Sequence, residues 1–404
     1  MSDSQTVLVE ITGPDRPGIS AGVLRVLEEV DAVVLDIEQV VIRRHLTLGL
    51  LVDVAPDHDA LKELLLFGWK HGLDVDFDIV DEPPTEPRPG HVVTLLGPDL
   101  TPTELLAAAE AIAEGGGNID RINRLSKYPV MSYELTVVGG DPDRIRGGLL
   151  EAAARYPGLD VALQRQGIGR RAQRLVVLDV DSTLIQNEVI DLLAAEAGCE
   201  AEVAELTARA MAGELPFEQS LRDRVRLLAG LDDAAVQRAG ERLELTPGAR
   251  TFIRTLHRLG FTTAIISGGF TVFTQRLADE LGIGYCRANE LEIVDGRLTG
   301  EVVGEVVDRE AKARFLHEVA ADIGVAVDQV VAVGDGANDL DMLNAAGLGI
   351  AFNAKPVVRD AADTALRVPY LDAILFVLGV SREEVEAADA ADPDVPATEP
   401  PPVR

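Results

Sequence analysis

Two aspartates separated by a single residue follow a short apolar run, a pattern typical of a cation site at a strand end. Residues 175–178 are Leu-Val-Val-Leu, and they lead directly into Asp179 and Asp181. Such a run predicts a buried parallel strand, and open α/β sheets bind ligands beyond the carboxyl ends of these strands. Alternate strand residues point the same way, so both carboxylates would face one site. Paired carboxylates repel each other unless a cation intervenes, and a hard ion such as Mg²⁺ prefers oxygen ligands. Alone, the pair could equally be solvated.

Polar clusters also follow two other apolar runs, residues 262–266 and 330–333. Each cluster has an ordinary explanation by itself: a turn, a helix cap or a solvated lysine on a helix. Because the carboxyl ends of parallel strands meet at one edge of a sheet, we expect the clusters to converge on one site. The groups that would join Asp179 and Asp181 there are Ser267, Gly268, Gly269, Lys312, Asp335, Asn338 and Asp339.

The composition limits the classes of protein to which this chain could belong. It has 404 residues, enough for two or three domains, and a formal net charge of −31. This excess of acidic residues argues against a nucleic-acid partner, and any phosphate site must supply positive charge locally. Two cysteines provide no disulfide framework. The N-terminus lacks a signal-peptide pattern and no apolar run is long enough to span a membrane, so we expect a cytoplasmic protein with no membrane partner.

The N-terminal part of the sequence contains a tandem duplication. A strand, a Gly-Pro-Asp turn and a helix follow one another from Val7, and the same order recurs from His91. A strand pair follows in each copy, around Arg43-Arg44 and around Lys127-Tyr128-Pro129. The segment between the copies carries four prolines, which predicts a linker.

The remainder of the chain predicts one larger domain. Beyond residue 165, apolar runs alternate with helical patterns, which predicts a doubly wound parallel α/β sheet. A helical insertion predicts a cap, Asp295-Gly296 predicts a hairpin turn, and the acidic, proline-rich end predicts disorder. The expected organisation is a first small domain (1–82), a linker (83–90), a second small domain (91–164), a sheet domain (165–380) with a cap at about 188–245, and a disordered tail (381–404).

Taken in order, these motifs resemble those of the haloacid dehalogenase-like phosphatases, and residues 174 to about 380 resemble the phosphoserine phosphatase family within that superfamily. The resemblance implies that Asp179 is a nucleophile that forms an aspartyl-phosphate and that Asp181 is the general acid and base. It implies a Mg²⁺ ion held by Asp179, Asp335 and the backbone carbonyl of Asp181, with Asp339 supporting the metal's water shell. The groups implied to bind the phosphorylated substrate are Ser267, the amide of Gly268, Lys312 and Asn338.

Two charged residues of the predicted cap match positions that select the substrate in this family. Glu188 matches the residue that binds the substrate's ammonium group. Arg224 matches the residue that holds its carboxylate, a group that suits the arginine fork. Met211 and Phe217 match apolar residues that line the site. Without the resemblance, Glu188 and Arg224 would be interpreted as solvated residues of a cap helix.

The two N-terminal units resemble ACT domains, βαββαβ modules that bind amino acids and regulate metabolic enzymes. The resemblance rests on Gly13 and on Asp15-Arg16-Pro17-Gly18, at the mouth of the first helix. It implies an effector site for an amino acid such as serine at Asp15 and Gly18, although Gly18 also suits an ordinary turn. The second copy has Leu100-Thr101-Pro102 in place of Arg16-Pro17-Gly18. The ACT-like region would also pair chains into a homodimer.

These features together predict a magnesium-dependent enzyme that hydrolyses O-phospho-L-serine to L-serine and phosphate, the last step of serine biosynthesis. One alternative is a haloacid dehalogenase-like phosphatase or phosphotransferase that acts on another small phosphomonoester. Another is an amino-acid-sensing regulatory protein with an inert phosphatase domain. The intact set of Asp179, Asp181, Lys312 and Asp335 argues against the inert domain.

Overall fold

The computed structural model describes residues 5–55, 60–80, 90–167, 170, 172–211, 214–393 and 395, except for the side chain of Met211. The chain forms two compact units, Met1–Arg88 and Pro89–Arg404. The predicted linker, 83–90, lies outside the described residues apart from Gly90. None of the helices in these ranges combines the length and the apolar composition needed to cross a bilayer.

The first unit is an antiparallel sheet with two helices on one face. Its elements are β1 (Gln5–Pro14), α1 (Ile19–Glu29), β2 (Val33–Ile42), β3 (His45–Val54), α2 (Ala60–His71) and β4 (Asp74–Ile79). The strand order is β2-β3-β1-β4. Alternate residues of β1, such as Val7 and Val9, are buried against Val23 of α1, as the periods of two and of 3.6 residues predict. Arg43 and Arg44 both have positive φ, which suits a two-residue turn between β2 and β3.

The second unit begins with the same arrangement. Its first elements are β5 (Gly90–Gly97), α3 (Pro102–Glu114), β6 (Gly117–Ser126), β7 (Met131–Gly139), α4 (Pro142–Arg155) and β8 (Asp160–Arg165). The strand order β6-β7-β5-β8 reproduces that of the first unit, so the duplication predicted from the sequence is confirmed. The entrances to the first helices differ. Gly18 precedes α1 in a left-handed conformation, whereas Thr101 caps α3 together with Glu104.

A seven-stranded sheet forms the rest of the second unit, in the order β12-β11-β10-β9-β13-β14-β15. Its strands are β9 (Leu175–Asp179), β10 (Thr262–Phe270), β11 (Tyr285–Val294), β12 (Arg297–Val303), β13 (Val330–Gly334), β14 (Leu348–Phe352) and β15 (Thr364–Leu366). All neighbours are parallel except β11 and β12, which form a hairpin. The chain passes from β9 to β10 on one side and later to β13 on the other. Beyond the carboxyl end of β9 therefore lies the switch point where open α/β sheets bind ligands.

Helices cover both faces of this sheet. They are α5 (Val189–Ala197), α6 (Glu200–Met211), α7 (Phe217–Arg226), α8 (Asp233–Glu241), α9 (Ala249–Arg258), α10 (Thr271–Leu281), α11 (Arg309–Asp322), α12 (Leu340–Ala345), α13 (Pro356–Arg359), α14 (Ile374–Val377) and α15 (Arg382–Ala390). Val176 and Leu178 of β9 pack into one core, and Leu175 and Val177 pack into another. A strand buried on both faces explains why the run is continuously apolar. The predicted doubly wound fold is confirmed.

The insertion between β9 and α9 contains the four helices α5–α8, as predicted for a cap. The hairpin of β11 and β12 turns at Asp295-Gly296, both with positive φ, in the predicted Asp-Gly turn. This hairpin also touches the insertion. The N–H of Gly230 donates to the carbonyl of Leu298 over 2.8 Å, and Arg222 Nη1 donates to the carbonyl of Val302 over 3.1 Å.

The prediction of a disordered tail from residue 381 is wrong for its first part, which forms α15. Ser381 caps this helix by accepting from the N–H of Glu384, and Val385 is buried. Asp389 accepts from Arg254 and Arg258 of α9. Acidic composition is typical of disordered segments, which is why the sequence predicted disorder here. Composition does not show that arginines distant in the sequence pair with these acidic residues. The prolines at 400–402 lie outside the described residues.

The second ACT-like sheet packs directly against the seven-stranded sheet domain. Leu96, Val130 and Ala162 are buried in the core of that domain. Asp160, at the start of β8, accepts from the backbone N–H and from Nε of Arg367, over 2.6 and 2.7 Å. The two domains of this unit therefore share a hydrophobic core and an ion pair in which Asp160 is buried and Arg367 is partly exposed.

Candidate active site

The candidate site lies where β9, β10 and β13 end together. Asp179 pairs in register with Ile266, so Ser267 follows at the same level, and Val333 pairs with Leu178 just before Asp335. After Asp179 the chain turns sharply through Val180–Leu184, with Ser182 at a φ of 58°. Parallel register thus brings the three polar clusters to one edge of the sheet, as expected from the sequence.

Lys312 connects two buried carboxylates at the centre of this edge. Its Nζ donates to Oδ1 of Asp179 and to Oδ1 of Asp339, each over 2.6 Å, and the side chain is 1% exposed. Burial alone would lower the pKa of Lys312, but the two carboxylates outweigh it and raise the pKa. Burial, together with the charge of Asp339, raises the pKa of Asp179 well above its usual value, despite the lysine. The ammonium therefore compensates only part of the negative charge.

The carboxylates fit a hard divalent cation. One oxygen each of Asp179, Asp335 and Asp339 lies within 4.8 Å of the others. Burial and the charge of Asp339 raise the pKa of Asp335 to about 6, although Thr183 Oγ1 donates to it over 3.3 Å. The raised pKa values of these carboxyls reflect burial first and then mutual repulsion, and a cation bound beside them would favour their ionised forms. Three oxygen donors with surplus negative charge match the preference of Mg²⁺.

The carboxylate of Asp181 lies beside this cluster and makes separate hydrogen bonds. Its Oδ1 accepts from the N–H of Val189 over 2.8 Å, and its Oδ2 accepts from Ser267 Oγ over 2.7 Å. Burial raises the pKa of Asp181, while these two hydrogen bonds act in the opposite direction. The side chain is thus held in one orientation, as a group that transfers protons requires. Its carboxylate is not part of the metal cluster, which leaves only its backbone carbonyl for the predicted metal contact.

The last part of β10, from Ser267 to Phe270, is shaped by close contacts at two glycines. A Cβ atom on Gly269 would lie 2.9 Å from Asp181 Oδ2, and one on Gly268 would lie 3.3 Å from Cζ of Phe217. Phe217 begins α7, so the insertion reaches over this part of β10. The N–H of Gly269 donates to Ser267 Oγ over 2.7 Å, which completes a chain of hydrogen bonds to Asp181.

The insertion brings both polarities of charge towards the site. Glu188 Oε1 accepts from Ser182 Oγ over 2.9 Å. Desolvation by the surrounding protein, and then the charge of Asp181, raise the pKa of Glu188 to about 7, although its side chain still faces solvent. Burial lowers the pKa of Arg224, whereas Glu188 and Asp191 are near enough to oppose that effect. Arg224 also donates from Nη1 to Thr207 Oγ1 over 3.3 Å.

Most of the predicted residues therefore converge. One cluster of carboxylates and their hydrogen-bond donors contains Asp179, Asp335, Asp339, Lys312 and Thr183. Asp181 and Ser267 are hydrogen-bonded to each other beside it. Asn338 is half-buried in the turn after β13. The side chain of Met211 lies outside the described residues.

The predicted effector residues belong to the first unit. Asp15 and Gly18 are both exposed, and the N–H of Asp15 donates to the carbonyl of Arg44 over 2.8 Å. Gly18 has a φ of 94°, and a Cβ atom there would meet nothing within 4 Å. Backbone conformation rather than crowding therefore favours glycine at this position.

Three residues that support the site were not predicted from the sequence. Asp308 caps α11, the helix of Lys312, by accepting from the N–H of Ala311 over 2.8 Å. Thr183 donates to Asp335, and its position in the Asp-x-Asp-x-Thr motif is a signal that could have identified it. Asn289 is fully buried and bonds to the backbone of Gly268. An asparagine within a strand carries no local pattern that would reveal this role.

Comparison with family models assigns most of the chain. Residues 176–344 match the haloacid dehalogenase-like hydrolase model. Residues 5–78 and 89–164 match two ACT domain models. Both N-terminal resemblances inferred from the sequence are confirmed.

Curated relatives and solved structures agree with these matches. The chain is 53% identical to phosphoserine phosphatase from Streptomyces coelicolor, over 98% of this chain and 97% of that protein. It is 49% identical to phosphoserine phosphatase SerB2 from Mycobacterium tuberculosis, over 96% of each. Among crystal structures, the unliganded probable phosphoserine phosphatase from Vibrio cholerae aligns with a TM-score of 0.57 and 37% identity, over 74% of this chain and 89% of that one.

Proposed function

The chain belongs to the phosphoserine phosphatases of the haloacid dehalogenase-like superfamily, in a long form with two ACT domains, and we propose that it hydrolyses O-phospho-L-serine to L-serine and inorganic phosphate. The observation that carries the proposal is that two carboxylates of one site are held by different partners. The buried Asp179 is bonded to Lys312, and Asp181 is bonded to Ser267. In this proposal Asp179 attacks phosphorus and Asp181 moves protons, which is the division of roles that phosphoryl transfer through an enzyme intermediate needs.

In the first step, an oxygen of Asp179 attacks phosphorus and the bond between phosphorus and the serine oxygen breaks. Asp181, protonated for this step, gives its proton to the leaving oxygen, so L-serine departs neutral at that atom. The raised pKa of Asp181 favours this protonated form. Ser267 Oγ holds the Asp181 carboxyl in place throughout.

In the second step, water attacks the aspartyl-phosphate and restores the Asp179 carboxylate. Asp181, now ionised, accepts a proton from that water, and inorganic phosphate leaves. Lys312 and the backbone amides near Ser267 and Gly268 are placed to stabilise the charge that develops on the phosphoryl oxygens. Asn338 would contribute a further polar contact from the turn after β13.

A divalent cation, which we propose to be Mg²⁺, would be held by Asp179 and Asp335, with the backbone carbonyl of Asp181, and supported by Asp339. When bound, such an ion offsets the charge of the phosphate dianion and polarises its oxygens. The chain's own part is to keep these oxygens together: Lys312 fixes Asp179 and Asp339, and Thr183 fixes Asp335.

Substrate choice is assigned to the insertion. Glu188 would bind the ammonium group of the substrate and Arg224 its carboxylate, while Phe217 excludes water beside Gly268. A zwitterion that carries a phosphate needs charge complements of both signs. Glu188, Arg224 and Lys312 supply them in a chain whose net charge would otherwise repel the substrate.

The wider role follows from this reaction. We propose that it completes serine biosynthesis, that the ACT domains pair chains into a homodimer, and that an amino acid such as serine binds at Asp15 and Gly18. The cytoplasmic location expected from the sequence stays a prediction. The alternative substrate class is another small phosphomonoester, which the same phosphoryl site would accept if Glu188 and Arg224 served a different ligand.

The test is phosphate release from a panel of small phosphomonoesters with Mg²⁺, for the parent, Arg224→Ala and Arg226→Ala. Arg226 lies on the same helix but is exposed and paired with Asp223, so it controls for general effects on α7. We expect a preference for O-phospho-L-serine that collapses in Arg224→Ala and persists in Arg226→Ala. Equal turnover of esters without a carboxylate, unaffected by Arg224→Ala, would contradict the assignment of substrate.

A further inference from the structure

A single buried amide joins the two segments that carry the proposed phosphoryl-binding groups. Asn289 lies on β11 beside Phe270 of β10 and is 0% exposed. Its Nδ2 donates to the carbonyl of Gly268 over 2.8 Å, and its Oδ1 accepts from the N–H of Val307 over 2.8 Å. These bonds link the last part of β10 to the segment that enters α11.

The chemistry of the partners allows only one orientation of this amide. The carbonyl of Gly268 can only accept a hydrogen bond, and the N–H of Val307 can only donate one. Both bonds must therefore be made by the opposite ends of one planar group. Because a buried unpaired backbone group costs about 1–3 kcal/mol, the side chain of Asn289 fixes the separation of Gly268 and Val307.

Each partner leads within a few residues to a group proposed to touch the phosphoryl oxygens. Gly268 supplies one of these groups, its own amide. It lies between Ser267 and Gly269, and the N–H of Gly269 donates to Ser267 Oγ. Val307 precedes Asp308, the cap of α11, and the N–H of Lys312 donates to the carbonyl of Asp308 over 3.1 Å. The bridge thus couples the position of the Gly268 amide to that of the Lys312 helix.

We propose that Asn289 is a positioning residue that sets the distance between Gly268 of β10 and Lys312, and so the spacing of the groups that hold the phosphoryl oxygens. This inference rests on the proposed function, which assigns both groups to the phosphoryl oxygens. Asn289 acts through Gly268 and Val307 and does not itself touch the substrate. Stabilisation of a transition state by fixed donors depends on their placement, and a misplacement of ~1 Å can lower the rate ~100-fold.

Two variants remove the bridge without adding charge near the phosphate. Asn289→Leu keeps the volume but forms neither hydrogen bond, and Asn289→Ala serves if the leucine variant fails to fold. An aspartate is avoided because its charge would itself weaken phosphate binding. The matched control is Thr263→Val, which removes a bond of 2.8 Å between Oγ1 of the buried Thr263 and Nε2 of the exposed His257, at the opposite end of β10.

The measurements are kcat and KM for O-phospho-L-serine and the inhibition constant of inorganic phosphate, at a temperature where circular dichroism shows each variant folded. In the Asn289 variants we expect the inhibition constant to rise ~10-fold and kcat to fall ~10- to 100-fold. Thr263→Val should be destabilised but should change neither constant by more than ~2-fold, since its lost bond is a structural one.

Unchanged phosphate inhibition and kcat in a folded Asn289 variant would overturn the inference, because a merely structural amide affects stability alone. An equal loss in Thr263→Val would overturn it as well. The parent protein tests the premise separately. A parent that neither hydrolyses O-phospho-L-serine nor is inhibited by phosphate would reject the proposed function, and the inference with it.

Discussion

Lys312 Nζ and Asp179 Oδ1 lie 2.6 Å apart, and the two side chains are 1% and 5% exposed. Lys312 also pairs with Asp339, so one ammonium serves two carboxylates that burial isolates from water. Removing one partner of a buried pair leaves an uncompensated charge, which is costlier than losing the attraction alone. This relationship determines how substitutions in the site affect stability as well as activity.

Because one ammonium group serves two buried carboxylates, removal of Lys312 should destabilise the folded protein. Without Mg²⁺, Lys312→Met should lower the free energy of unfolding by about 3–5 kcal/mol, since Asp179 and Asp339 both lose the ammonium group that the structure pairs with them. Combining it with Asp179→Asn should recover part of this loss, because one of the stranded charges is gone. Urea unfolding of the parent, of Lys312→Met and of the double variant measures both effects. Equal stability of Lys312→Met and the double variant would contradict the argument.

Asp179→Asn alone should lower turnover by about 10⁴-fold or more, since an amide is a poor nucleophile. The fold should persist, because the amide has nearly the same shape as the carboxylate. The free energy of unfolding should stay the same or rise, because burial and neighbouring charge raise the pKa of Asp179 and so disfavour its ionised form. Phosphate release and urea unfolding check the two parts. Residual turnover within ~10-fold of the parent would exclude Asp179 as the nucleophile.

Periodicity and motif spacing predicted the elements that position Asp179, Ser267, Asp335 and Lys312. Strands that continue an apolar run and end in polar residues announce their position locally, and a parallel sheet then brings their ends together. The double pairing of Lys312 was not predicted, because a sequence shows a lysine on a helix but not the depth to which α11 buries it.

Contacts between distant segments were the part that sequence could not supply. The bond from Asn289 to Gly268 and the pairing of Asp389 with Arg254 depend on tertiary packing, and neither residue stands in a recognisable local pattern. The same reason explains the error over α15, whose acidic composition resembles that of a disordered tail. Its stability comes from Val385 and from arginines more than a hundred residues earlier in the chain.

The pH dependence of substrate binding should report Glu188, whose pKa is raised to about 7. Only the ionised form can pair with an ammonium group, so KM for O-phospho-L-serine should fall as the pH rises from 6.5 to 8. The phosphate itself, with a pKa of about 6, is already mostly dianionic over this range. Glu188→Gln should raise KM and remove its pH dependence. A parent KM that is constant over this range would argue against the role of Glu188.

The raised pKa of Glu188 also has a consequence for stability. A folded-state pKa above the unfolded value means that the folded protein binds more protons between pH 4.5 and 7, so this residue's contribution to stability falls as the pH rises through that window. Glu188→Gln should remove this loss. Comparison of unfolding midpoints for the two proteins at pH 5 and pH 7.5 measures it, and a difference independent of pH would contradict the assigned shift.

Metal binding should stabilise the protein through Asp335. At 100 times its dissociation constant, Mg²⁺ should raise the free energy of unfolding by about 2.7 kcal/mol, provided that it binds only the folded state. In Asp335→Asn the metal-free protein should be no less stable than the parent, because the removed carboxyl has a pKa raised to about 6, but the gain with Mg²⁺ should disappear. Asp328→Asn, at an exposed position before β13, is the control. A Mg²⁺-dependent gain that survives in Asp335→Asn would exclude this residue as a ligand.

The ion pair between Asp160 and Arg367 should hold the second ACT domain against the sheet domain. Asp160 is 4% exposed in its side chain and accepts two hydrogen bonds from Arg367, which also donates from Nη2 to the carbonyl of Ala153 over 3.2 Å. Arg367→Ala should lower the free energy of unfolding by about 2–3 kcal/mol, somewhat less than for a fully buried pair because the guanidinium is partly exposed.

The exposed pair of Arg314 and Glu305 provides the matched control, and Arg314→Ala should lower the free energy of unfolding by less than about 1 kcal/mol. Urea unfolding should also broaden or divide in Arg367→Ala, since weakening this contact reduces the coupling of the two domains. Equal losses in both variants would show that the shared core around Leu96 and Ala162, and not this ion pair, joins the domains.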